Sequence, residues 1–233
     1  MRSRALPFFA ATAVASLWCV GLLFVRRHEL GYSGYPYLVW NLVLAWIPAV
    51  LALALAELSE HGRGRLEQLT VGVVWLLFLP NAPYVLTDFI HVGAEHRLID
   101  TAIVGSFAAT AVMLGFASLA LVQSVVTRGR GAVAGWLVAT GALAASSVGI
   151  YLGRVQRLNS WDVLTRPGRV WELAAKRLAD PLGNPRLILF VSGLAGFLTV
   201  AYLAVYALSA LTAATRPGSG PSRTSGRRTA PRR

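Results

Sequence analysis

The chain has 233 residues, of which 55% are hydrophobic and only 14% charged, and its mean hydropathy is +0.57. Soluble domains carry about 25% charged residues. The composition therefore excludes a typical water-soluble enzyme and a disordered protein, and the single cysteine, Cys19, excludes an internal disulfide or a cysteine-based metal cluster. The net charge of +12 first suggests nucleic acid, but six of the arginines fall in Arg216–Arg233, a stretch rich in Gly, Pro, Ser and Thr without any acid. Such a tail, 213–233, cannot bury a core. It is expected to meet anionic lipid headgroups, at about 1 kcal/mol per basic residue near the surface. No aromatic-interleaved basic patch accompanies it, so no nucleic-acid partner is expected.

A helix needs about 20 apolar residues to cross a bilayer. Six segments approach that length, approximately 5–25, 37–56, 69–90, 101–126, 132–152 and 187–212. They predict an all-α polytopic bundle of about six transmembrane helices over 1–212. The first follows Arg2 and Arg4 as a signal peptide would, but its apolar run is too long and ends without a small-residue cleavage site. We read it as a retained helix. Tyr32, Tyr35, Tyr37 and Trp40 precede the second span and read as an interfacial aromatic belt.

The third span is unlike the others. Pro80-Asn81-Ala82-Pro83-Tyr84 removes two amide donors within four residues, which predicts a break or kink at Pro80–Pro83. Asn81 is expected to cap a second half-helix, with Pro83 in its first turn. Freed backbone groups at membrane depth must be covered by protein or line a cavity. Two readings stand: a proline kink satisfied by Asn81 and its neighbours, or a broken helix of the kind that binds solutes. Beyond it, Asp88, His91 and Glu95 are spaced i, i+3 and i+7 and would share a helical face, although Glu95 and His96 are expected to fall in the loop that follows. A carboxylate and an imidazole one turn apart can act as an acid–base pair or hold a divalent metal. The same residues are ordinary where a helix emerges into water. The sequence names no cofactor.

In the fifth span Gly141, Ala145, Gly149 and Gly153 recur every four residues, a stripe that would let another helix approach. Arg154, Arg157, Asn159 and Asp162 follow it. Arginine offers fixed donors for phosphate or carboxylate, although arginines beside Trp161 would also anchor a helix end at the interface. Arg169–Ala179, between Pro167 and Pro181, reads as a short amphipathic helix on the membrane surface.

Counting six spans places Asn41, the 81–91 segment and the 154–162 segment on one side of the membrane. Asn41, Asn81, Tyr84, Asp88, His91, Arg154, Arg157, Asn159 and Asp162 are thus candidates for one composite site, with Asp88 and His91 as the catalytic pair if there is chemistry. An Asp–Arg pair would explain the same residues structurally. The side of the termini carries 12 basic residues and the other side 10, or 12 against 3 when the 153–186 connection is left out. Both termini are therefore expected in the cytoplasm and the composite site outside it.

The segments WNLVLAWIP (40–48), WLLFLPNAPYVLTDFIHV (75–92) and GIYLGRVQRLNSWD (149–162) resemble the bacterial membrane family called domain of unknown function 1361. The resemblance runs over about 38–212. It implies a multi-pass protein of a bacterial inner membrane and carries no assigned activity or catalytic residues. Three functions are consistent with the residues. The first is binding or transport of a small anionic or lipid-linked solute. The second is a membrane-embedded enzyme acting on lipid-linked or phosphate-bearing substrates. The third is a structural or assembly partner using the glycine stripe.

Overall fold

The computed structural model describes residues 2–31, 34–156, 165–168, 172, 175 and 183–214. Among the described residues the structure is 90% helical without strands, and six helices are long and apolar enough to cross a membrane. They are α1 (Arg2–Leu30), α2 (Tyr37–Glu60), α3 (Arg65–Phe78) continued by the short α4 (Asn81–Tyr84) and a 3₁₀ segment (Val85–His91), α5 (Arg97–Arg130), α6 (Ala132–Gln156) and α7 (Pro185–Ala214). Large apolar side chains such as Leu17, Val50, Val73 and Leu137 stand exposed on the helices. A soluble protein would not tolerate so much exposed apolar surface. Together these features make the chain a multi-pass membrane protein.

The chain divides into Met1–Thr199 and Val200–Arg233. In the second unit, the rings of Tyr202 and Tyr206 on α7 meet at 6.4 Å. The first unit is organised around α5. Its most apolar window is 61% buried, more than that of α1, α2, α3 or α6, and α1, α2, α4 and α6 all pack on it. Phe107, Val104 and Ala111 of α5 meet Leu38, Ala45 and Ala49 of α2 in the core. A single residue, Gly131, joins α5 to α6 at φ +91°. That backbone conformation suits a residue without Cβ, and it makes the two helices adjacent and antiparallel. Trp75 of α3, buried, donates its indole N–H to Ser118 Oγ of α5 at 3.3 Å.

The proline segment breaks the hydrogen bonding of the third span and hardly its direction. The bend is only 8°. Leu79, Pro80, Tyr84 and Val85 all keep right-handed helical dihedrals. The Ala82 N–H bonds the carbonyl of Leu79, three residues back, so the Phe78 carbonyl loses its regular donor. Asn81 supplies the replacement, Nδ2 to Phe78 O at 2.9 Å. The expected N-cap role of Asn81 is thereby corrected: Pro80 holds the cap position without a side-chain bond, and Asn81 repairs the turn behind it.

Two glycines admit this segment. A Cβ on Gly115 of α5 would lie 2.8 Å from Ala82 Cβ, and one on Gly149 of α6 would lie 2.9 Å from Pro80 Cγ. The glycine stripe of α6 is therefore not one docking face. Gly149 receives Pro80, whereas Gly141 and Ala145 are exposed. The residues of α6 that pack inward include Ala139, Ala142, Leu143, Ser146 and Ile150.

Gly149→Leu should overpack the Pro80 contact and destabilise by about 1–3 kcal/mol, whereas Gly141→Leu should be tolerated. Thermal unfolding in detergent checks this. Equal melting temperatures for the two variants would show that the Pro80–Gly149 contact is not tight.

Candidate functional site

The site grows from the way the third span ends. In a 3₁₀ helix, side chains three apart eclipse one another. Ala82, Val85 and Asp88 follow that period and are all buried, at 0%, 0% and 1% exposure. The same period puts His91 one step further on, at the exposed end. The face expected from α-helical spacing thus becomes a narrower edge that excludes Glu95, which lies in the loop after the 3₁₀ segment. Its exposed carboxylate is 4.0 Å from His96 Nε2.

Asp88 has both oxygens engaged. Arg154 Nη2 donates to Oδ1 at 2.7 Å, and Asn41 Nδ2 donates to Oδ2 at 2.9 Å. A carboxylate only accepts, so the Asn41 amide must turn its nitrogen inward. Arg154 reaches further: its Nη1 is 3.4 Å from His91 Nε2, and its guanidinium carbon lies 4.9 Å from the centre of the Tyr84 ring. Arginine has no acceptor, so in that contact His91 Nε2 is the accepting atom. Asn41, Tyr84, Asp88, His91 and Arg154 are therefore brought together as the span count required, from α2, the end of the third span and the end of α6. Asn81 belongs to the proline turn. Arg157, Asn159 and Asp162 lie outside the described residues, as does most of the expected amphipathic helix at 169–179.

A second ion pair stands at the same end of the bundle. Arg26 of α1 binds Asp100 of α5 through two nitrogens, Nε–Oδ1 at 2.8 Å and Nη2–Oδ2 at 3.3 Å, with each residue only 3% exposed. Tyr35 donates its hydroxyl to Asp100 Oδ2 at 2.8 Å and lies 3.2 Å from the His91 carbonyl. Burial, and then the hydrogen bond to Asp100, push the Tyr35 hydroxyl above its ordinary range. Arg26 also lies over the Tyr35 ring at 5.0 Å. Gly34, at φ +70°, lies so close to Arg26 that a Cβ would collide with the guanidinium. Sequence reasoning missed this group: it singled out neither Arg26 nor Asp100 and read Tyr35 as interfacial. The available signal was an acid at the start of one apolar helix and an arginine at the end of another, on the same side.

Beside this second pair lies an open pocket of about 610 Å³ lined by Arg26, Tyr35, Tyr37, His91, Gly93, Ala94, Glu95, His96 and Asp100, together with Gly34. Tyr37 packs edge-on against His91, ring centres 5.8 Å apart. Its hydroxyl is buried and has no hydrogen-bond partner among the described residues. Among the described residues no three His, Cys, Asp or Glu side chains converge as metal ligands.

Arg154→Ala should leave a buried, uncompensated carboxylate. That costs about 3–5 kcal/mol for a buried pair, and we expect the low end because the Arg154 side chain is 21% exposed. Adding Asp88→Asn should recover more than half of the loss in melting temperature; no recovery would mean that the pair is not the cause. Tyr35 gives a pH signature. Its pKa is raised in the fold, so its contribution to stability is complete below the ordinary tyrosine pKa. That contribution is lost as pH rises through the higher folded value. The wild type should therefore lose stability above pH of about 10 more steeply than Tyr35→Phe, by thermal melts across that range.

No curated protein and no solved structure matches the chain. The model of one family, described as protein of unknown function (DUF1361), matches residues 40–201, which include Asn41, Asp88, His91, Asp100 and Arg154 but not Arg26, Tyr35 or Tyr37. By that match over more than half of its length, this chain belongs to the DUF1361 family.

Proposed function

We propose that the chain is a membrane-embedded binding protein that holds the polar headgroup of a lipid-linked solute at the end of the bundle containing Asp88 and Asp100. The observation that carries this reading is the pocket's setting. A polar hollow of about 610 Å³ is bordered in sequence by exposed apolar residues, with Ile90 at 71% and Leu98 at 87% exposure. A ligand with a polar head and an apolar tail satisfies both surfaces. The anionic form of the expected solute has less support, because Arg26 and Arg154 each face a carboxylate. Packing of Leu38, Val104 and Phe107 in the core supports holding a ligand over conducting one. Asp88, with both oxygens bonded, is a positioning residue that sets Arg154 and, through it, His91.

The charge bias of the connections supports both termini in the cytoplasm of a bacterial inner membrane, the pocket on the outer face, and the arginines of 213–233 on anionic headgroups. A second reading, an enzyme acting on lipid-linked substrates, is favoured by one observation: the exposed imidazole of His91 lines the same pocket.

Gly93 lines the pocket with open space around its Cβ position. Gly93→Trp should therefore fill the hollow without disturbing the core. Native mass spectrometry of protein taken from membranes should show a retained lipid-linked species in the wild type and at least a several-fold loss in Gly93→Trp, with the delipidated melting temperatures equal. Retention in the variant would place the ligand elsewhere. In a Cys19→Ser background, a cysteine at 95 should react with an impermeant reagent from outside and one at 62 from the cytoplasm; the reverse pattern would invert the orientation.

A further inference from the structure

We infer that the headgroup held in this pocket is uncharged and polyhydroxylated, a sugar or polyol, and that the Tyr37 hydroxyl and the Glu95 carboxylate are among its direct contacts. The inference rests on the binding reading above and gives it a substrate class. Three observations carry it. First, among the described residues the lining is net acidic: one arginine, Arg26, stands against two carboxylates, Glu95 and Asp100. Arg26 is held at two points by Asp100, and the nearby Arg154 is held by Asp88 at 2.7 Å. A phosphate or carboxylate entering the hollow would meet the carboxylates of Glu95 and Asp100 and, in Arg26, a cation already engaged. That is the reverse of an anion site, where donors stand open to the ligand.

Second, uncharged hydrogen-bonding capacity remains at the pocket. The buried Tyr37 hydroxyl has no partner among the described residues, and a buried polar group left unmade is costly. It can both donate and accept, which suits a ligand hydroxyl that does the same. Glu95, with 85% of its side chain exposed, supplies acceptors at the mouth. His91 and His96 add ring nitrogens that donate or accept according to tautomer. Third, the walls are aromatic as well as polar. Tyr35 and Tyr37 meet at 6.1 Å, and Tyr37 meets His91 at 5.8 Å. Flat rings beside paired acceptors fit the C–H faces and hydroxyl edges of a sugar ring. A quaternary ammonium headgroup would also take an acidic aromatic hollow, but it has no hydroxyl for Tyr37 or Glu95 to bond.

The test uses the full-length protein in detergent and reads melting temperature and native mass spectra against four probes. These are a monoglucosyl diacylglycerol, a phosphatidylglycerol and a phosphatidylcholine with the same acyl chains, and free glucose. The glucolipid should stabilise the protein by several degrees, and the two phospholipids should do so by much less. Tyr37→Phe keeps the ring packing on His91 and removes only the hydroxyl; it should weaken glucolipid binding about three- to tenfold, as should Glu95→Gln. Stronger stabilisation by phosphatidylglycerol or phosphatidylcholine would overturn the polyol assignment while leaving a headgroup-binding protein. Glucose binding as tightly as the glucolipid would support the polyol class and overturn the lipid-linked reading. Response to none of the four would overturn both. Glucolipid binding that Tyr37→Phe and Glu95→Gln leave unchanged would overturn the assigned contacts.

Discussion

A carboxylate that is 1% exposed near the end of a membrane helix must be neutralised or bonded on all sides, because an ion taken out of water loses several kcal/mol of solvation even after relaxation. Asp88 meets that demand with one permanent charge and one amide, Arg154 from α6 and Asn41 from α2. The three helices that contribute these groups can satisfy the acid only in one relative placement. Much of the polar end of the bundle follows from that requirement. Such pairs are weak sources of net stability, and their better-attested role is to specify register.

The proline segment is what delivers Asp88 to its partners. Pro80 and Pro83 interrupt the regular hydrogen bonds, Asn81 repairs one of them, and the chain continues with an 8° bend into a 3₁₀ segment. The change from 3.6 to 3.0 residues per turn aligns Ala82, Val85, Asp88 and His91 along one edge. Gly115 and Gly149 let the segment lie close against α5 and α6. Gly149 and Arg154 are neighbours on α6, so the contact that seats Pro80 and the charge that answers Asp88 come from one rigid element.

A second buried pair, Arg26 with Asp100, repeats the same solution one helix away, and the His91 backbone touches it through Tyr35. The pocket opens beside this second pair, against Arg26 and Asp100. On the reading proposed above, a ligand would meet hydroxyl, imidazole and carboxylate groups there, with Arg26 already held by Asp100.

Six spans, the anomaly at Pro80–Pro83 and the common side of Asn41, Asp88 and Arg154 were legible in the sequence, because apolar length, missing amide donors and the parity of crossings are local or countable properties. The pairing of Arg26 with Asp100 was not legible, since residues 74 positions apart are joined by helix packing alone. The same holds for the burial of Tyr35, which an aromatic at a span end does not announce. Nor was the 3₁₀ register of Val85–His91, which depends on how the segment lies against α5 and α6. The α6 stripe announced a close approach but not its place: Gly149 takes the Pro80 contact, whereas Gly141 is exposed. By itself, then, the sequence determined the solvent, the number of crossings and the end of the bundle at which charge collects, all consequences of hydrophobicity along the chain. Only the tertiary structure decided which charges cancel and which polar groups remain to meet a ligand, because that depends on distances between helices that no one-dimensional pattern contains.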